Sequence, residues 1–148
     1  MKKLLVLFTL LGAALVWFAE DVRRQTAPPA TAIENFSADD QRLEAAFANH
    51  LRNFAVHGQG VVTRVLPDDT NGIAHQRFIL RLGSGQTLLI AHNISVAPRI
   101  DSLKEGDTVE FLGVYEWKSE GGVIHWTHRD LKGGHSPGWL KHNGRTYQ

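Results

Sequence analysis

From Gly58 onward the apolar residues change their spacing, and that change decides what the chain can build. Upstream, Leu43, Phe47, Leu51 and Phe54, with Ala46 and Ala55, recur at steps of three and four, the repeat of one helix face. Downstream the repeat is two. Within 75–82, Phe78, Leu80 and Leu82 alternate with Arg77 and Arg81, which gives a strand one buried face and one wet face. Short alternating segments separated by glycines can close a sheet on itself, but they cannot bundle as helices.

The helical stripe predicts a helix over 38–56, with Ser37 as its cap, Asp39 and Asp40 in the first turn and Gly58 as its stop. The alternation predicts five strands, at 59–66, 75–82, 86–94, 107–117 and 122–128. "GSGQ" (83–86) and "KSEGG" (118–122) supply hairpin connections. "VAPRIDSLKEGD", between the third and fourth strands, is too short for a long crossover helix. No segment repeats at a fixed period, which argues against a solenoid or propeller. The expected fold is mainly β, a small five-stranded Greek-key barrel of the oligonucleotide/oligosaccharide-binding (OB) type. A single N-terminal amphipathic helix would close one end. A generic five-stranded sheet is the alternative.

The 148 residues suffice for one domain with a modest core. Zero cysteines exclude disulfides, zinc ribbons and thiol chemistry, and leave histidine and carboxylate as the available metal ligands. Lys2 and Lys3 precede an uncharged run from Leu4 to Ala19, the layout of a secretory signal. Sixteen residues of helix reach about 24 Å against a hydrocarbon layer of about 30 Å, so Trp17 and Phe18 would extend the span if the segment stays as an anchor. Residues 1–25 therefore read as a signal peptide or membrane anchor, with 4–19 as the membrane contact, and 26–33 as a Pro/Ala-rich linker built on "TAPPATA". The domain is expected over 34–148, exported to the periplasm and tethered to the inner membrane if the signal is uncleaved.

"HWTHRDLKGGH" (125–135) concentrates the chemistry: His125, His128, Asp130 and His135 beside Trp126 and Arg129. On a regular strand His125 and His128 face opposite ways, whereas His128 and Asp130 share a side, and Gly133-Gly134 leaves His135 free to return. Two readings are open. In one, His128, Asp130 and His135 form a structural clasp without metal; in the other, the same three hold a divalent ion. A G-x-S-x-G elbow is missing, as is a phosphate-cradling glycine loop. Asp68 and Asp69 fit either a cation site or, more simply, a turn in which they bond their own backbone.

Charge separates two parts of the chain. From residue 34 onward, 12 Lys and Arg face 13 Asp and Glu, which does not favour nonspecific binding to nucleic acid. Residues 117–148 differ, because Lys118, Arg129, Lys132, Lys141 and Arg145 outnumber Glu120 and Asp130. Trp117, Trp126, Trp139 and Tyr147 are interleaved there, the pattern of a base- or sugar-stacking surface or of rings that pin a tail. The candidate ligand-binding residues are Arg77, His92, Trp126, Arg129, Trp139 and Lys141. The candidate catalytic residues are His125, His128, Asp130 and His135. His75, His92 and Asn93, at strand ends, are placed to line the same cleft as the histidine cluster.

"GVVTRVLPDD", "HQRFILRL", "AHNI", "APRI", "GDTVEFLGVYEW", "GGVIHWTHRD", "GGH", "GW" and "HNG" followed by "YQ" resemble an exported bacterial family, the uncharacterised domain family numbered 3465, over roughly residues 57–148. "GGVIHWTHRD" is the most specific of these segments. The resemblance implies an exported barrel domain and names no reaction. Leu131 stands where the family pattern has proline. A more distant likeness, resting on Asp68-Asp69-Thr70 after the first strand, is to thermonuclease-type barrels; their glycine and their arginine–glutamate set are missing, so no catalytic residue carries over. Two functions remain. One is a noncatalytic binding module for an anionic polymer (oligonucleotide or glycan) or a protein partner, with no cofactor. The other is a nuclease-like or other hydrolase built on the histidine cluster, with a divalent metal as its optional cofactor.

Overall fold

The computed structural model describes residues 30–148, with side chains from residue 38. The basic start, the apolar run and linker residues 26–29 lie outside the described residues. Helix α1 (Ala30–Ala48) leads into strands β1 (Phe54–Val65), β2 (His75–Arg81), β3 (Thr87–Asn93), β4 (Thr108–Glu116), β5 (Val123–His125), β6 (Trp139–His142) and β7 (Arg145–Tyr147). The order β1-β2-β3-β5-β4 is closed by a β1–β4 pairing, with β3 and β5 parallel and the other neighbours antiparallel. This is the expected five-stranded barrel. Strand β1 serves two partners: Phe54–Val61 pairs with β4 and Val61–Val65 with β2, with a register shift between Val62 and Arg64. Closure leaves the five barrel strands without a long free edge.

The inward positions explain the core. Val56, Val62, Phe78, Leu80, Leu88, Ile90, Val109, Phe111, Tyr115 and Ile124 are all buried in one cluster. Leu43 and Ala46 of α1 join it fully buried, so the helix closes one barrel end. Polar contacts help to fix it there, among them two to the barrel's connecting segments. Asp40 Oδ2 accepts the Ser84 N–H (3.1 Å) in the β2–β3 turn, and the Phe47 carbonyl accepts from Trp117 Nε1 (3.1 Å) just past β4. Burial raises the Asp40 carboxyl above its ordinary range, against the pull of the Ser84 and Gly83 amides.

The helix differs from the expected span 38–56 at both ends. It begins at Ala30, so Ser37 lies inside it and is no cap. It stops at Ala48 because His50 and Asn53 take left-handed backbone (φ 54° and 55°) and turn the chain. Leu51, read as part of the stripe, is 50% exposed. Phe54 is packed against the core all the same, but from β1, with its ring 5.4 Å from that of Tyr115. Gly58 is no helix stop. It sits opposite Phe111, and a Cβ there would lie 2.6 Å from Phe111 Cζ.

Strands β2, β3 and β4 fall within one residue of expectation at each end, whereas the fifth, expected over 122–128, is only Val123–His125. Two further strands were not expected. β6 and β7 form a hairpin over Asn143-Gly144, both left-handed (φ 49° and 74°), a pair that favours two-residue turns. β6 then pairs with Val109–Leu112 of β4, while β5 pairs with Val114–Glu116 on the same strand. β5 and β6 thus lie end to end along β4, and residues 126–138 leave and rejoin that line.

Candidate functional site

The excursion 126–138 holds Trp126, His128, Arg129, Asp130 and His135 of the residues that the sequence singled out. It starts abruptly: Trp126 takes φ 52°, so β5 ends at His125 and strand parity no longer governs the residues beyond it. Thr127 and His128 then turn inward and are buried. The excursion closes where the Gly138 N–H donates to the His128 carbonyl (2.9 Å). Only glycine fits at that crossing, because a Cβ on residue 138 would lie 2.1 Å from the Trp126 carbonyl oxygen and 2.5 Å from that of Leu112.

His92 anchors this root from inside the barrel. It is fully buried; its Nε2 faces the Pro98 carbonyl (3.1 Å) and its Nδ1 faces the Thr127 hydroxyl (2.8 Å). A carbonyl only accepts, so Nε2 carries the proton and Nδ1 accepts from Thr127. Burial, with smaller effects from His128 and His75, pulls the ring down to about 4. His92 is therefore a neutral core residue in the folded protein.

Beyond the root, His128, Asp130 and His135 line one hollow, as expected, together with Val96, Arg129, Leu131 and Lys132. Its volume is about 320 Å³. A ring nitrogen bonded to Asp130, the expected form of the clasp, is not what holds these residues: Asp130 is bonded by backbone amides and both rings by carbonyls. Asp130 Oδ2 accepts the His135 N–H (2.7 Å) and Oδ1 the Lys132 N–H (2.9 Å). These amides hold the Asp130 carboxyl below the ordinary carboxylate range. The two rings meet edge to face, with centroids 4.8 Å apart. His128 Nδ1 donates to the Arg129 carbonyl (2.9 Å) and His135 Nδ1 to the Ser136 carbonyl (2.8 Å), which leaves Nε2 as the other polar atom of each ring. With Asp130 turned to its own loop, no three His, Asp or Glu side chains among the described residues are grouped to hold a metal ion.

His125 lies on the outer side of β5, its ring 4.8 Å from that of Trp126, which in turn stacks on His135 at 4.7 Å. Burial, helped by His135 and His75, lowers the His125 ring below its ordinary range, and its Nε2 is buried without a hydrogen-bond partner. Trp126, half-exposed between two imidazoles, joins β5 to the returning loop. Arg129 is exposed, and with the Gln148 amide oxygen turned toward it, its Nη2 donates at 2.8 Å. Leu131 is 82% exposed and Val96 53%.

The remaining candidates lie elsewhere. Arg77, on β2, donates from Nε and Nη2 to the Pro67 carbonyl (3.2 and 3.1 Å) and secures the loop after β1. Trp139 and Lys141 share the outer face of β6, where Lys141 pairs with Glu110 (3.6 Å). Asp69 Oδ1 accepts the Asn71 N–H (3.1 Å), as expected of a turn, whereas Asp68 pairs with the Arg99 side chain (2.9 Å) instead of its own backbone. Sequence reasoning missed His57, whose Nδ1 meets Asp39 (2.9 Å) and whose Nε2 meets Glu110 (3.1 Å). It also missed His142, buried against Asp107 (2.8 Å). Neither was readable, because each partner lies on another element; only the outward parity of His57 on β1 hinted at a role.

No curated protein matches the chain. The family model described as protein of unknown function (DUF3465) matches residues 28–148, and the chain belongs to that family.

Proposed function

We propose that this domain is an exported, noncatalytic binding module that takes an anionic polymer, an oligonucleotide or an acidic glycan, at the hollow of residues 128–135. One observation carries the reading: the single carboxylate lining the hollow, Asp130, is spent on its own loop amides, while Arg129, Lys132, His128 and His135 line the same space. Such a hollow attracts anions, and an imidazole with its Nδ1 already committed donates from Nε2 when protonated. Exposed Leu131 and Val96 supply apolar contact for a base or sugar ring. Export rests on Lys2-Lys3 and the Leu4–Ala19 run.

Fluorescence anisotropy tests the ligand class, with a labelled single-stranded oligonucleotide in one arm and a labelled uronic-acid oligosaccharide in the other. Binding in at least one arm, weakening as salt rises and weakened again by Arg129→Ala or Lys132→Ala, is the expected result. No binding in either arm at low salt defeats the reading. Export is checked by fusing, after Gln148, an enzyme that is active only in an oxidising compartment; the fusion should be active.

A further inference from the structure

The outer face of β1, β4 and β6 carries a second arrangement, made of side chains that the hollow does not use. Strand register lays out two lateral rows, His57–Leu112–Trp139 and Gln59–Glu110–Lys141. In the first row the Trp139 ring stands 5.7 Å from that of His57. In the second, Glu110 is held from both sides, by His57 Nε2 at 3.1 Å and Lys141 Nζ at 3.6 Å. A cavity of about 380 Å³ opens beside this row, lined by Gln59, Asp107, Thr108, Glu110, Lys141 and Asn143.

Charge excludes the ligand of the loop. Lys141 has a carboxylate partner, and Asp39 and Asp107 stand nearby on His57 and His142, so cations do not outnumber acids here. A polyanion gains nothing from such a face. What the cavity offers is a mixed set of donors and acceptors: the amides of Gln59 and Asn143, the Thr108 hydroxyl, the Glu110 carboxylate and the Lys141 ammonium. Gln59, Thr108, Glu110 and Lys141 are held in place by ladder strands, and the half-buried Trp139 stands on the same outer face, in the row beside Glu110 and Lys141 and outside the cavity lining. Planar polar groups that both give and accept suit neighbouring hydroxyls, and a flat indole suits the C–H face of a ring.

We infer that this face is a second binding site, independent of the hollow, for a neutral sugar ring. Cellobiose, maltose and N,N′-diacetylchitobiose are the probes, titrated into the purified protein and followed by the Trp139 indole and the Gln59, Glu110 and Lys141 amide resonances. At least one disaccharide should shift these signals saturably, with an affinity indifferent to salt. Gln59→Ala, which spares the His57 contacts, should weaken that affinity about tenfold, as should Trp139→Phe, while Lys132→Ala leaves it unchanged. Absence of a saturable shift with all three sugars overturns the inference. So does unchanged affinity in both variants, or an affinity that collapses with salt.

Discussion

The root and the tip of the 126–138 excursion belong to one loop and obey opposite rules. At the root, Thr127, His128 and Gly138 are buried against the barrel, the Thr127 hydroxyl bonds the core imidazole of His92, and glycine is the only residue that fits at 138. At the tip, Arg129, Leu131, Lys132, Gly133 and Gly134 are exposed, and Cβ atoms added at 133 and 134 would meet nothing. Packing density decides the cost of change at the root. At the tip, added atoms meet nothing and change should cost little. Within thirteen residues the loop thus passes from a packed segment to an open one.

Gly138→Ala should have the largest effect. Its methyl meets two carbonyl oxygens that belong to backbone and cannot swing aside. A loss of more than about 3 kcal/mol in chemical denaturation is expected. A variant within about 0.5 kcal/mol of the native protein would erase the distinction.

The second prediction concerns acid. His92 titrates at about 4 folded and near its ordinary value of about 6.5 unfolded. Between those values the unfolded chain takes up a proton that the folded one refuses, so stability falls as pH drops through that window and no further below it. The shift corresponds to roughly 3 kcal/mol. Denaturation curves from pH 7 to pH 4 should show this loss, and replacing His92 with glutamine should flatten that slope. An unchanged slope in His92→Gln would move the acid sensitivity elsewhere.

Within the tip, Asp130→Asn should speed hydrogen exchange at the Lys132 and His135 amides while leaving the β4 amides protected. Its carboxyl is held below the ordinary range, so the same loosening should appear in the native protein as pH falls through that lowered value. Gly134→Ala should be smallest, within about 0.5 kcal/mol of the native protein. A large loss there would mean that the tip is packed after all.

The sequence made the barrel legible where the pattern was local. Phe78, Leu80 and Leu82 against Arg77 and Arg81 placed β2, and "GSGQ" placed its turn. It misled where one apolar residue could be buried by either backbone. Leu51 and Phe54 kept the helical spacing past His50, yet Phe54 reaches the core from a strand. Asn143-Gly144 announced the last hairpin plainly, and its meaning was hidden only by the shortness of the flanking runs. For the site, the gathering of His128, Asp130 and His135 was legible from Gly133-Gly134. The neutral role of His92 was not, because Thr127 and Pro98 reach it from loops outside its own strand.

The end-to-end placement of β5 and β6 along β4 makes the excursion a port in the barrel wall. No ladder spans residues 126–138, so the chain there can lengthen without shifting the register of any strand. Loop entropy is lenient, at about 0.6 kcal/mol for each doubling of length. A foreign peptide grafted between Gly133 and Gly134 would be displayed on an intact barrel, and swapping this one segment would change what the domain presents to its surroundings while its architecture stayed the same.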